Sequence, residues 1–263
     1  MIKIKYKGRL GNNLIQYAAA HVLSIRTQSK IITPAISHIC NRGIYKTSCN
    51  KTPNLKINFG NYFNIPRFQN KVDLDDALVV SDSNYFDVLY GQNDNVNNKY
   101  IVNGYFQDGR LLCVYRDAIL DLYKNPYPNF SQPNNNSFIA CRLGDSLQIS
   151  SKKNWFCNLE YIEKNIIELL KLNGDIYITS DSINFPPLVH LIEKYKLKLY
   201  QEGPLQTILF ASNFNNLVLS AGSFSYWMAY FSEAKNISVF KNNSDPLQRK
   251  NAWKYTCSVK FIN

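Results

Sequence analysis

The second half of the chain alternates short apolar runs with helix-forming segments, and this alternation restricts the fold more than any other feature of the sequence. The runs interpreted as strands are SFIAC (137–141), DIYIT (175–179), 197–200 and LVLS (217–220). The segments interpreted as helices are 160–172, 187–195, 204–212 and 224–231. Strands that alternate with helices of this length predict an α/β domain with a parallel sheet.

Three turns that contain glycine or polar residues follow these strands directly. They are RLGD (142–145), SDS (180–182) and AGSFS (221–225). In a parallel sheet the carboxyl ends of neighbouring strands meet at one edge, and the ligands of open α/β sheets bind there. We therefore expect these three turns to lie together around a ligand.

A different strand-to-helix turn lies near the N-terminus. The alternating run Ile2–Tyr6 predicts a strand, and GRLGNNLIQYAAAHVLS (8–24) leads from it into a helix. One interpretation is a tight turn, because Gly8 and Gly11 take positive φ easily and asparagine tolerates it. The other is a ligand loop, because backbone N–H groups at a helix N-terminus bind anions. The stretch alone leaves both interpretations open.

Length and composition fit two folded domains. The chain has 263 residues, of which 45% are hydrophobic, and this suffices for two cores of ordinary size. The Pro- and Asn-rich stretch NPYPNFSQPNNN (125–136) has no periodicity and is typical of a linker. We therefore predict an N-terminal domain at 1–124 and a C-terminal domain at 137–263.

The net charge of +11 is concentrated near the N-terminus. The chain carries 30 Lys and Arg residues against 19 Asp and Glu residues, and residues 1–72 contain 12 of the basic residues but no acidic one. A basic field of this kind attracts nucleic acid, an anionic membrane or an acidic substrate. The alternative is that these residues bind no partner and form a basic face exposed to solvent.

Four segments carry a resemblance to a known family. They are GRLGNNLIQYAAA (8–20), GYFQDGRLL (104–112), ACRLGD (140–145) and LVLSAGSFSYWMAYF (217–231). In their order and spacing they resemble glycosyltransferase family 11, the α-1,2-fucosyltransferase-like proteins, from about Gly8 to Phe240. The resemblance implies an α/β fold of the GT-B type, in which two Rossmann-like domains with parallel sheets face each other.

The resemblance also implies a reaction. Proteins of this family look metal-independent and inverting, and they move fucose from GDP-β-L-fucose to a sugar hydroxyl of a glycan without a cofactor. The resemblance assigns the nucleotide sugar to the C-terminal domain. It assigns the N-terminal glycine–asparagine loop to the reacting centre, with Asn12 near the transferred sugar.

The residues after the C-terminal strands have the chemistry that a nucleotide sugar requires. A departing nucleoside diphosphate gains negative charge, which a guanidinium group or backbone N–H groups stabilise. Arg142 supplies a bidentate guanidinium, and the turn at 222–225 supplies N–H groups and hydroxyls at a helix start. Asp181 has acceptor oxygens for a ribose or a guanine. The predicted donor-binding residues are Gly11, Arg142, Ser180, Asp181, Gly222, Ser223, Phe224 and Ser225.

Each of these residues also has an interpretation without a ligand. Arg142 fits an ordinary surface ion pair, and Ser223 and Ser225 fit helix caps. Two residues also depart from the family's first motif, His-x-Arg-Arg-x-Asp, because Ala140 replaces the histidine and Leu143 replaces the second arginine. These departures leave open a donor sugar other than fucose or a weakened activity.

A general base must reach the acceptor hydroxyl, and Asp145 and Asp108 are the candidates. Asp145 has the structural alternative of holding the loop of Arg142. The predicted catalytic residues are Arg142, Asp145 and Asn12. The predicted acceptor-side residues are Arg9, Gln107 and Asp108.

Two other functions stand as alternatives. Asp73-Leu74-Asp75 fits the DxD pattern with which metal-dependent transferases hold a cation on another nucleotide sugar. The basic N-terminal half suits a nucleic-acid-binding protein, but no RRM, KH or zinc-finger pattern accompanies it. The six cysteines form no CxxC pair, so no metal site is predicted.

The expected location follows from the same residues. No leader sequence precedes Ile2, and the long uncharged run between Glu202 and Glu233 contains amides that a membrane span tolerates poorly. We expect a cytoplasmic protein of bacterial or viral type with no transmembrane segment. The expected partners are a nucleotide-sugar donor and a glycan acceptor, acidic or lipid-linked, with peripheral membrane contact and no nucleic acid.

Overall fold

The fold is taken from a computed structural model of the chain. The structure describes residues 1–33, 36–39, 55–58, 63, 74–91, 98–123, 133, 135–143, 158–241, 245–250, 252–255 and 259–262. The N-terminal unit holds Met1–Ile39 and Leu55–Pro128, and the C-terminal unit holds Asn129–Asn263. Most of the predicted linker at 125–136 lies outside the described residues, so the proposed domain bounds stay a prediction.

The N-terminal unit combines a small parallel sheet with helices. Its strands are β1 (Ile2–Ile4), β2 (Ile36–Ile39), β3 (Leu55–Asn58), β4 (Leu78–Val80) and β5 (Tyr100–Val102). Its helices are α1 (Leu10–Thr27), α2 (Tyr85–Tyr90), α3 (Gly109–Val114) and α4 (Arg116–Leu122). Strands β1, β5 and β4 form the parallel sheet in that order, whereas β2 and β3 pair antiparallel.

Helix α1 supplies much of the core of the N-terminal unit. Its buried face includes Leu14, Ala18 and Val22, the residues whose helical spacing predicts an apolar face. The hydroxyl of Tyr85, at the start of α2, donates to the carbonyl oxygen of Ala19 at 2.8 Å. The helix is therefore fixed to its neighbours by apolar burial and by a buried hydrogen bond.

The C-terminal unit is a six-stranded sheet with helices between the strands. Its strands are β6 (Ser137–Cys141), β7 (Ile176–Ser180), β8 (Lys198–Leu199), β9 (Asn216–Leu219), β10 (Asn236–Phe240) and β11 (Val259–Ile262). Its helices are α5 (Leu159–Leu170), α6 (Pro186–Lys194), α7 (Pro204–Ala211), α8 (Ser223–Phe231) and α9 (Pro246–Arg249), and a 3₁₀ turn spans Ala252–Tyr255. The predicted alternation of strands and helices between 137 and 231 is confirmed, with bounds within two residues.

The order of strands places a topological switch point at one edge of this sheet. The order is β8-β7-β6-β9-β10-β11, and every neighbouring pair is parallel. The chain therefore moves outward from β6 to β8, returns to β9 beside β6, and moves outward again on the other side. The connections after β6 and β9 leave in opposite directions, and ligands of such sheets bind at this switch point.

Helices cover both faces of the sheet, so its edge is left for a ligand. All five residues of β6 are buried, which is the pattern of a central parallel strand. The ring of Phe138 contacts Phe210 of α7, with centroids 5.9 Å apart. Its neighbour Ile139 belongs to a separate buried cluster with Ile162 of α5. Successive residues of one strand point to opposite faces, and both faces are packed.

Candidate functional site

One serine joins the carboxyl ends of β6 and β9. The Oγ atom of Ser220, which follows β9, accepts a hydrogen bond from the backbone N–H of Arg142 at 2.8 Å. The same hydroxyl donates to the carbonyl oxygen of Ala140 at 2.7 Å. Arg142 is half-buried and leaves the sheet at the switch point. Its main chain is therefore fixed where the fold places a ligand.

Gly222 shapes the turn between β9 and α8. Its φ is +109°, which glycine adopts without strain and other residues rarely adopt. Gly222 occupies the N-cap of α8, and Ser223 and Ser225 lie inside the helix. The interpretation of these serines as helix caps is therefore wrong. The N-terminal N–H groups of the helix and the positive end of its dipole favour an anion at this turn.

The Arg142 guanidinium packs against this glycine. A Cβ atom on Gly222 would lie 3.1 Å from Arg142 Nη1, so a side chain there would crowd the guanidinium. The carboxylate of Asp245, at the start of α9, accepts a hydrogen bond from the N–H of Gly222 at 3.1 Å. Arg142, Gly222 and Asp245 thus form one group at the switch point.

The turn after β7 also lies at this edge of the sheet. Asp181, which follows β7, accepts a hydrogen bond from the backbone N–H of Leu143 at 2.8 Å. Ser180 accepts from the N–H of Ser182 at 3.1 Å. The expected proximity of the turns after β6 and β7 is therefore present. One Asp181 oxygen fixes the main chain after Arg142, and a contact of this residue with ribose or guanine stays a prediction.

The predicted site residues Asn12 and Gln107 are hydrogen-bonded to each other at the carboxyl edge of the N-terminal sheet. The Nε2 group of Gln107, which follows β5, donates to Oδ1 of Asn12 in α1 at 2.7 Å. Gly8, with φ +74°, lies in the turn after β1 and packs closely against the Asn12 side chain. A Cβ atom on Gly8 would lie 2.4 Å from Asn12 Nδ2. Asn12 is therefore positioned by the turn after β1 and by the turn after β5.

Helix α1 begins earlier than the tight-turn interpretation assumes. Leu10 is its first residue, and the N–H of Asn13 donates to the carbonyl oxygen of Arg9 at 3.0 Å. Gly11 is consequently helical, so of these two glycines only Gly8 has the positive φ that the tight-turn interpretation uses. Arg9 occupies the N-cap position, and its side chain makes no capping hydrogen bond.

Two buried amides hold these turns in place. The side chain of Gln16 accepts from the N–H of Lys7 at 3.1 Å and donates to the carbonyl oxygens of Lys7 at 3.1 Å and Gly104 at 2.9 Å. Asn13 donates to Gln16 Oε1 at 3.2 Å and to the Lys7 carbonyl at 3.0 Å. Gln16 therefore ties the turn after β1 to the turn after β5.

Asp108, a candidate base, forms the start of α3. It is the N-cap residue and accepts from the backbone N–H of Arg110 at 2.9 Å. Its carboxylate also pairs with the Arg110 guanidinium at 3.0 Å, and this guanidinium lies 4.0 Å from the ring centroid of Phe86. These contacts fix the carboxylate, and its role as a base or in acceptor binding stays a prediction.

Several sequence predictions fall outside the described residues. Asp145, the other candidate base, and Asp73 of the DxD pattern lie there. Within the ranges that the structure describes, no group of three His, Cys, Asp or Glu residues could hold a metal ion. In the same ranges, no helix has the length and apolarity to cross a bilayer.

The sequence interpretation missed three residues that organise these two edges. They are Gln16, Ser220 and Asp245. Gln16 had a signal, since it is a single amide within the apolar run LIQYAAA, and Asp245 had one, since an acidic residue directly before Pro246 is common at a helix start. Ser220 was interpreted only as the end of its strand.

The strand order makes the C-terminal unit a doubly wound α/β domain. An arginine and a helix N-terminus lie at its switch point. The sequence model of glycosyl transferase family 11 matches residues 1–257. The chain belongs to this family, and the resemblance of the four segments is confirmed.

One solved structure agrees with this chain at the level of the fold. The chain is similar to POFUT1 in complex with GDP-fucose, with 7% identity, a TM-score of 0.50, and coverage of 90% of this chain and 96% of that chain. A structure of POFUT1 in complex with GDP has 8% identity, a TM-score of 0.49, and coverage of 98% and 97%. The predicted GT-B type of fold is confirmed. Curated proteins give no match to this sequence.

Proposed function

We propose that the protein transfers fucose from GDP-β-L-fucose to a sugar hydroxyl of a glycan, with inversion at the anomeric carbon and without a metal ion. The observation that carries the proposal is the placement of Arg142 against the Gly222 turn, at the switch point of the C-terminal sheet. Membership of glycosyl transferase family 11 supports the reaction class. The GDP-fucose bound in the POFUT1 structure supports the choice of donor.

The C-terminal edge has the groups that a departing diphosphate needs. When the bond between the anomeric carbon and the β-phosphate oxygen breaks, that oxygen gains negative charge. The Arg142 guanidinium and the N-terminal N–H groups of α8 are preorganised to receive it. A fixed guanidinium and a helix N-terminus supply the positive charge that a metal ion would otherwise provide.

The acceptor hydroxyl attacks the anomeric carbon from the side opposite to the diphosphate, so the configuration inverts. A general base removes the hydroxyl proton, and Asp145 and Asp108 remain the two candidates. We assign the acceptor side to the N-terminal unit. There the Asn12–Gln107 pair presents amide groups that can hydrogen-bond to sugar hydroxyls.

The donor is tested by thermal shift with GDP-fucose, UDP-sugars and dTDP-sugars, followed by transfer assays in EDTA. GDP-fucose should raise the melting temperature most, because a ligand at 100 times its Kd stabilises a folded protein by about 2.7 kcal/mol. Transfer should persist in EDTA, and Asp73→Asn should leave turnover unchanged. Loss of transfer in EDTA with recovery on adding Mn²⁺ would support the DxD alternative, and a larger shift with a UDP- or dTDP-sugar would contradict the donor.

The acceptor is proposed to be anionic, either acidic or carried on a lipid diphosphate at a membrane surface. The motivation is the basic excess in residues 1–72, which contain 12 Lys and Arg residues and no Asp or Glu. Such a field concentrates an anionic acceptor, and its range falls from about 10 Å at 0.1 M salt to about 3 Å at 1 M.

We expect the acceptor KM to rise with ionic strength more steeply than the donor KM. Reversal of three exposed lysines, Lys3→Glu, Lys5→Glu and Lys30→Glu, should imitate high salt. The matched control is reversal of Lys164, Lys196 and Lys235, which are exposed on the C-terminal unit and should affect the acceptor KM less. An acceptor KM that ignores both salt and the first set of reversals rules out the anionic acceptor.

A further inference from the structure

Asp245 is a buried carboxylate that neither the resemblance nor the proposed reaction uses. Its residue is 4% exposed. One oxygen accepts from the N–H of Leu247 at 3.1 Å, and the other accepts from the N–H of Gly222 at 3.1 Å. Burial raises the pKa of this carboxyl, whereas the hydrogen bonds from Leu247 and Gly222, the nearby Trp253 side chain and the positive charge of Arg142 oppose the rise.

Helix capping explains only half of this arrangement. A capping carboxylate needs one acceptor oxygen for its own helix, and α9 has only four residues. Burial of a carboxylate costs free energy unless hydrogen bonds and an opposite charge compensate. The second oxygen instead reaches Gly222, the N-cap residue of α8, 23 residues earlier in the chain. Asp245 thus connects α9 to the turn that the proposed donor site depends on.

Arg142 faces this same turn. Its main chain is fixed by Ser220, its Nη1 atom lies against Gly222, and its charge is close enough to lower the pKa of Asp245. The carboxylate therefore holds the Gly222 turn by a hydrogen bond, and this turn contacts the Arg142 guanidinium.

We propose that Asp245 is a positioning residue for the transfer reaction, which orients the Gly222 turn and holds the Arg142 guanidinium beside it. This inference rests on the proposed function. Asp245 does not touch the donor, because its oxygens are directed to Gly222 and Leu247. The negative charge of Asp245 repels a diphosphate, so Asp245 contributes by orienting its neighbours. It therefore favours turnover more than it favours nucleotide binding.

The test is a double-mutant cycle in the full-length chain with Asp245→Asn, Arg142→Ala and the double variant. Asparagine retains an acceptor oxygen for a helix start but lacks the charge. We expect Asp245→Asn to lower kcat about tenfold while the Kd for GDP, measured by calorimetry, changes less than about threefold. In the Arg142→Ala background, Asp245→Asn should cause no further loss, because residues that act through one another are not additive.

The matched control is Asn158→Ala, which removes the cap of α5, where Asn158 accepts from Glu160 at 2.9 Å. This variant should lower the melting temperature without lowering turnover. Equal losses from Asp245→Asn in both Arg142 backgrounds, or unchanged kcat, would overturn the inference. Where Asp245→Asn does not fold, Asp245→Ser supplies the same cycle.

Failure of the proposed function is distinguished by the wild-type protein, which would then neither bind GDP nor transfer fucose. The role of Asp245 is then measured in the free protein by amide hydrogen exchange of residues 217–226. Faster exchange in Asp245→Asn, but not in Asn158→Ala, supports the positioning of the turn, and unchanged exchange overturns it.

Discussion

Arg142→Ala should lower the turnover of fucosyl transfer by about 10² to 10³, which is the loss typical of one preorganised donor to developing charge. The main chain of Arg142 is fixed by the Ser220 hydroxyl, and its guanidinium lies against Gly222. Its position is therefore set before the donor arrives. Steady-state kinetics with GDP-fucose, alongside the melting temperature of each variant, measures the effect.

Two further variants test whether the loss of turnover comes from the guanidinium group itself. One keeps a positive charge at residue 142, and the other removes a different arginine of the same unit. Arg142→Lys should recover little turnover, because a lysine ammonium lacks the planar fork that binds two phosphate oxygens. Arg249→Ala removes an exposed arginine of α9 in the same unit and should leave turnover unchanged. A folded Arg142→Ala protein with turnover near the wild-type value would remove this residue from the mechanism.

The C-terminal sheet was predictable because its signals are local. Strands β6, β7 and β9 are short apolar runs bounded by turns, whereas β8 is the exposed pair Lys198–Leu199. Each helix between these strands has an apolar spacing or an initial proline. Strand β10 was missed although it carries a local signal. Its five residues alternate between exposed or intermediate and buried positions, which is the pattern of a half-buried strand.

The group around Arg142 was only half predictable. Arg142 and Gly222 follow strands directly, so their position follows from the topology of a parallel sheet. Asp245 reaches Gly222 across 23 residues, and its role depends on the path of β10 and α9. A hydrogen bond between distant segments leaves no periodic pattern in the sequence, and an aspartate before a proline suggests only a helix start.

The N-terminal edge illustrates the same limit. The glycine-rich stretch correctly predicted a turn at Gly8 that leads into a helix, but the helix begins within the stretch because Arg9 already accepts the first helical hydrogen bond. The pairing of Asn12 with Gln107 joins residues 95 positions apart. The resemblance supplied both residues, and their contact required the parallel pairing of β1 with β5.

Gln16→Leu should lower the local stability of the N-terminal unit by about 1 to 3 kcal/mol, because a buried polar group left without a partner, here the Gly104 carbonyl, costs about this much. Leucine has nearly the volume of glutamine, so cavity formation adds little. The variant leaves the N–H of Lys7 without the acceptor Oε1 and the carbonyl of Gly104 without the donor Nε2. The Lys7 carbonyl keeps its bond from Asn13, which limits the loss.

The measurement is amide hydrogen exchange of α1 and of residues 103–108, because a chain of two units need not unfold in one step. Exchange should accelerate in both segments, since Gln16 connects the turn before α1 to the turn after β5. Gln201→Leu, at an exposed loop position, should change exchange little. If Gln16→Leu exchanges like the wild type, the two turns that carry Asn12 and Gln107 are held by the surrounding apolar core instead of by this amide.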